Sequence, residues 1–147
     1  MKTQDKDFSH GSALTQIVEH PSFKALNKAD KKFGHYQINI DTRILIKYSD
    51  KEKSPWQFTF KVEDINTLVG DISSNNFSFL CLICGKVTIC LLPTNDFQEL
   101  LDFEKKTQQS ITVELEDGKS MRVKSKIKEL KHAIHHNDFP KLLFKQA

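Results

Sequence analysis

Three cysteines and a histidine cluster carry the residue types best suited to chemistry. Cys81-Leu82-Ile83-Cys84-Gly85 has the spacing of half a metal knuckle or of a redox pair, and Cys90 follows. His132, His135 and His136 lie near the C-terminus, with His132 and His136 at the i, i+4 spacing of a helical metal pair. Structural zinc takes four Cys or His ligands at tetrahedral positions. Cys81, Cys84 and Cys90 with His132 and His136 would form such a set if the chain bent sharply at residues 81–84.

The same cysteines also fit a β-hairpin. Residues 77–93 form the most apolar segment, and Gly85-Lys86 offers a two-residue turn with glycine where type II′ wants it. That register pairs Cys84 with Val87, Leu82 with Ile89 and Cys81 with Cys90, and turns Cys84 to the opposite face. Cys81 and Cys90 would then be a non-hydrogen-bonded pair, with Cα atoms roughly 4.5 Å apart. Redox Cys-x-x-Cys pairs gain reactivity at a helix N-terminus, whereas this one falls within a strand. The expectation is three buried, free thiols and no cofactor.

Other chemistry is poorly represented. Ser12 in His10-Gly11-Ser12 has no GxSxG context and reads as a helix cap. Neither a Walker pattern nor GxGxxG occurs. The carboxylates Glu63-Asp64 and Asp102/Glu104 fall where helix surfaces are expected. Trp56, Phe58 and Phe60 alternate on one face of a strand; exposed, they would stack bases, but burial suits them better.

Charge is unevenly distributed. Residues 1–118 hold 14 Lys+Arg and 17 Asp+Glu, whereas residues 119–147 hold eight against two. The C-terminal segment is therefore a candidate polyanion-binding surface, through Arg122, Lys124, Lys126, Lys128 and Lys131. A solvated rim is the simpler alternative. Residues 1–8 are polar with no apolar stretch after them, and no apolar run approaches the ~20 residues of a membrane helix. The expectation is a cytoplasmic, bacterial protein with no membrane contact and reduced thiols.

The elements that must position these residues form one α+β domain, residues 12–147, after a loose arm at 1–11. A first helix starts near Ser12 and buries Leu14, Ile17 and Val18. Strands are expected at 35–39, 43–48 and 56–61, and a helix at 62–72 with Ile65, Leu68, Val69 and Ile72 inward. The cysteine hairpin at 79–91 is central. A helix near residue 95 buries Phe97, Leu100 and Leu101. The last strand pair, 111–116 and 120–125, needs a three-residue loop at 117–119 to align Val113 with Val123. A fourth helix, 126–135, would bury Ile127, Leu130 and Ile134. Hairpin connections dominate, so the sheet should be mixed or mainly antiparallel.

Over residues 12–84 this order of helix, three strands, helix and strand resembles the αβββαβ core of the PD-(D/E)XK nucleases, the restriction-endonuclease-like fold. The resemblance is one of element order. Catalytic members carry an Asp on the second core strand and (D/E)xK on the third, to hold Mg²⁺ and activate water. Here Asp41 precedes the second strand and the third reads Gln57-Phe58-Thr59. Glu19 and Lys47 are the remaining charged residues of interest. The resemblance implies a degenerate, non-catalytic relative that binds nucleic acid or a partner.

The leading expectation is a small, non-enzymatic binding or accessory protein acting through protein contacts, with an open sheet edge allowing a homodimer. The alternatives are a nucleic-acid-binding module using the basic segment, and a degenerate nuclease-like or Cys/His metalloprotein.

Overall fold

The period-two segments close into two sheets. The computed structural model describes residues 1–145, so the last two residues of the basic segment lie outside it. The first sheet has the order β1 (Leu26–Lys28), β2 (His35–Ile38), β3 (Thr42–Ser49), β5 (Phe77–Cys84) and β6 (Thr88–Pro93), and the second has β4 (Trp56–Phe60), β7 (Gln109–Glu114) and β8 (Arg122–Ser125). Every pairing is antiparallel except β3 with β5. The helices are α1 (Asp5–Val18), α2 (Val62–Ser73), α3 (Thr94–Leu100) and the short α4 (Asp138–Lys141). The α+β class and the mixed sheet match expectation.

β5 explains the apolar run. Leu80, Leu82 and Cys84 join a core with α2, α3 and the second sheet, while Phe79, Cys81 and Ile83 join another with α1 and the C-terminal turn. A strand buried on both faces, one of them paired in parallel, needs apolar residues at every position. Trp56, Phe58 and Phe60 are 1%, 2% and 0% exposed, so they fill the core and offer no surface for stacking bases.

α1 begins at Asp5, inside the segment expected as an arm. The Gln4 backbone N–H donates to the Asp7 carboxylate at 2.9 Å, and Asp5 and Asp7 place negative charge in the first turn, where the helix dipole favours it. Its buried face is His10, Ala13 and Ile17, and Val18 points outward. β1 has no counterpart among the expected strands and is held by its pairing with β2.

The cysteine hairpin is one residue out of the expected register. Its loop has three residues, so Cys84 pairs with Thr88, Leu82 with Cys90, and Cys81 with Leu91. Cys84 and Cys90 therefore share one face and Cys81 takes the other. The reason is outside the hairpin. Gly85 donates its N–H to the Ser49 carbonyl at 2.8 Å, continuing the β3 pairing beyond Cys84. It sits at φ +55°, where a Cβ would come within 2.5 Å of the Lys51 carbonyl oxygen. The Val87 N–H then closes the turn on the Cys84 carbonyl. At the last hairpin the expected register holds: Val113 pairs with Val123.

The expected helix at 126–135 does not form. This stretch covers the open edge of β8 instead. Leu130 donates to the Val123 carbonyl, and Met121 and Ile134 exchange backbone hydrogen bonds at 2.9 and 2.8 Å. Unpaired edge groups are costly when covered without partners, and a helix there would leave β8 unpaired. Leu130 and Ile134 are buried as expected, but Ile127 is exposed.

Gly85→Ala is expected to lower stability by about 1–3 kcal/mol, the range for a residue forced into a disfavoured backbone region. Urea unfolding checks this, with Gly118→Ala, whose surroundings are open, as the milder comparison.

Candidate functional site

Strands β2 and β3 turn one row of polar side chains toward α2. His35 and Gln37 on β2 face that way with Arg43 and Lys47 on β3, around the apolar Leu45 that pairs with His35. From α2, Asp64 and Asp71 meet them; seven residues apart, they lie two turns along the same helix face. Both aspartates are buried, at 6% and 2% exposed. The expectation that Glu63-Asp64 lies on a helix surface is therefore corrected for Asp64.

Two ion clusters result. Asp71 accepts from His35 Nε2 at 2.8 Å and from Arg43 at 3.2 Å, and His35 Nδ1 lies 3.0 Å from Asp30 on the β1–β2 connection. Gln37 accepts a hydrogen bond from Arg43 Nε. Asp64 accepts from Lys32 at 2.7 Å and Lys47 at 2.8 Å, and from the Lys61 backbone N–H at 3.0 Å. Burial alone would raise the Asp64 pKa, but the hydrogen bonds from Lys32 and Lys47 outweigh it and hold the carboxyl below its usual value. Burial would lower the His35 pKa, yet Asp71 and Asp30 raise it. The ring thus lies between two carboxylates, which favour its protonated form. Removing one member of such a buried set costs roughly 3–5 kcal/mol. Each carboxylate is engaged by cations of the chain itself, and the chemistry of this arrangement is that of a structural clamp between α2 and the sheet.

The resemblance noted in the sequence can be placed on this frame. Strands β1, β2 and β3 share one sheet, whereas β4 joins the other. Four strands thus separate α1 from α2, where three were expected, and the third of them, β3, carries Lys47. Leu45, buried in the core, stands two residues before it. Asp41 accepts from the Thr42 hydroxyl, Gln57 and Thr59 point to solvent, and Glu19 lies exposed at the end of α1.

The candidate metal ligands do not converge. Cys81 lies across the sheet from Cys84 and Cys90. His132 pairs with Asp96 of α3 at 3.1 Å, His135 with the Ser120 hydroxyl, and His136 with Thr88 and the Lys119 carbonyl. Each histidine fastens the strand-covering segment to a different element. Among the described residues no group of three or more His, Cys, Asp or Glu could hold a metal ion. Burial raises the thiol pKa values, with Cys84 pushed to about 12.

The basic segment is partly paired. Lys124 bridges to Glu114, Lys128 to Glu99 and Lys119 to Glu116. Arg122 donates to the carbonyls of Leu130 and Lys131. Among the described residues, Lys126, Lys131, Lys141 and Lys145 carry no ion pair. Lys126 and Lys105 both line a groove of about 410 Å³ at one end of the second sheet. The amides of Gln57 and Gln108 and the hydroxyls of Thr59, Thr107 and Ser110 line the same groove; no carboxylate does. Lys105 was not singled out in the sequence, because only the fold brings the loop after α3 beside the C-terminal segment.

No protein-family model and no curated protein matches the chain. Among solved structures, the chain is similar to Hjc, a Holliday junction resolvase from Archaeoglobus fulgidus, an archaeal hyperthermophile, at 14% identity and a TM-score of 0.46 over 71% of this chain and 83% of that one. No helix among the described residues is long and apolar enough to cross a membrane.

Two measurements check this description. Native protein should show no thiol reaction with a chromogenic disulfide at neutral pH, and three thiols once unfolded. Stability should also peak near pH 6.5. Buried His10, with Phe33 and Tyr48 about it, has its pKa lowered to about 4 by burial and by Lys6. Its contribution is complete above its unfolded value of 6.5 and is lost as pH falls toward 4, by up to about 3 kcal/mol at ~1.4 kcal/mol per unit. His35 has the opposite sign: its raised pKa adds stability below 6.5 that is lost as pH rises through the folded value. In urea titrations His10→Gln should flatten the acid limb, and His35→Gln the alkaline limb on a lower overall stability.

Proposed function

We propose that the protein binds nucleic acid through its phosphates, at the groove between Lys105 and Lys126. The observation that carries this reading is the lining: two cations without ion pairs, flanked by amide and hydroxyl groups, with no carboxylate to oppose a polyanion. Phosphate oxygens take hydrogen bonds from such Lys, Gln, Thr and Ser side chains. With Trp56, Phe58 and Phe60 buried, the groove offers no aromatic platform, so binding would be electrostatic and weakly dependent on sequence. Lys131, also without an ion pair, would extend the contact. This reading ranks ahead of the protein-contact role expected first, because the groove specifies the chemistry of its ligand.

Fluorescence anisotropy with labelled single- and double-stranded oligonucleotides, over a salt series, tests it. Log affinity should fall linearly with log salt, and Lys105→Glu/Lys126→Glu should weaken binding and reduce the slope by about two. Lys24→Glu, on the loop before β1, should retain the slope of the unmodified protein to within about one unit. Salt-indifferent binding, or full binding by the double variant, would overturn the proposal.

A further inference from the structure

A second, larger cavity of about 630 Å³ opens between α1 and the tip of the β5–β6 hairpin. Its size is that of a small-molecule site. Ile83 and Ile89 from the hairpin and Phe139 from α4 give it an apolar floor. α1 turns a polar stripe toward it, Ser9, Ser12 and Gln16, at the three- and four-residue spacing of one helix face. Phe8 and Val87 stand at its mouth, 63% and 53% exposed. Such large apolar groups beside a cavity are more informative than scattered ones.

The opposite wall is fixed. His136 donates from Nε2 to the Lys119 carbonyl at 3.1 Å, which leaves Nδ1 to accept from the Thr88 hydroxyl at 2.5 Å. That pair is internally satisfied. The charged groups at the rim are not: Asp5, Asp50 and Lys86 have no ion pair among the described residues. Carboxylates thus outnumber cations two to one around an apolar floor.

We infer that this cavity binds a small amphiphilic cation, an apolar ring or short chain bearing a protonated amine. The body would lie against the exposed Phe8 and Val87, above the buried Ile83, Ile89 and Phe139, and the ammonium would take the unpaired Asp5 or Asp50 carboxylate. The site shares no lining residue with the Lys105–Lys126 groove, so it is independent of the nucleic-acid reading.

The test uses phenethylamine and its matched acid, 3-phenylpropionate, titrated into the full-length protein while backbone amide chemical shifts are followed. Saturable shifts at Ser9, Ser12 and residues 86–89 are expected with the amine and not with the acid. Asp5→Asn/Asp50→Asn should weaken amine binding about tenfold, the scale of one lost charged hydrogen bond. Both side chains are exposed, and an unchanged unfolding midpoint would show that the variant keeps its fold. Val87→Ala, at an exposed position of the mouth, should weaken the amine without admitting the acid. Equal shifts by amine and acid, shifts confined to other surfaces, absence of saturable shifts, or wild-type affinity in the double aspartate variant would each overturn the inference.

Discussion

Two strands that run side by side in the same direction cannot be joined by a hairpin. β3 and β5 are such a pair, and the chain between them has to leave the sheet, cross its face and return. It does so by building β4, which founds the second sheet, and α2, which packs over β5 and reaches β2 and β3 through its two aspartates. The layered arrangement of the molecule follows from that detour. β5 becomes an interior strand with both faces covered, and Gly85 extends its pairing with β3 to the very start of the turn. The hairpin loop then takes three residues because the neighbouring strand fixes its first one.

The detour also explains why buried charge sits where it does. Beside β5 the helix meets a strip of β2 and β3 that is only partly apolar, and it answers there with Asp64 and Asp71. Each carboxylate receives two cationic partners: Lys32 and Lys47 for one, His35 and Arg43 for the other. Apolar packing alone tolerates small slides of a helix across a sheet. Paired buried charges do not, since a displaced partner leaves an uncompensated ion behind. The clusters thus set the position of α2, and α2 in turn sets the span that β4 has to bridge.

Much of this architecture could be read from local pattern. The Ile and Phe alternation in β3 and β4, the stripe of α2 and the alignment of Val113 with Val123 each depend on residues near one another in the chain. The failures share a cause. The cysteine register was decided by Ser49 and Lys51, more than thirty residues upstream of the turn. The helical spacing of Ile127, Leu130 and Ile134 was overridden by an unpaired strand edge, which no local pattern announces. Asp64 reads as a favourable first-turn charge, and only the arrival of Lys32 and Lys47 makes it a buried ion. Of the basic residues singled out, most meet acidic or carbonyl partners once folded, whereas Lys105 gains its interest from a neighbour far along the chain.

The segment that replaces the expected fourth helix bears on how the molecule would fail. It is bonded to β8 through only a few backbone contacts and is fastened at its far end by three histidine side chains. If it peeled away, β8 would become a bare strand border carrying Val123 between two cations, open to pairing with any extended chain nearby. The hydrogen bonds that give the native sheet its last row would then serve equally well between molecules. The basic character of this region gains a second meaning from that: like charges along the border oppose the approach of another copy, so the lysines guard against self-association during the moments when the cover is off.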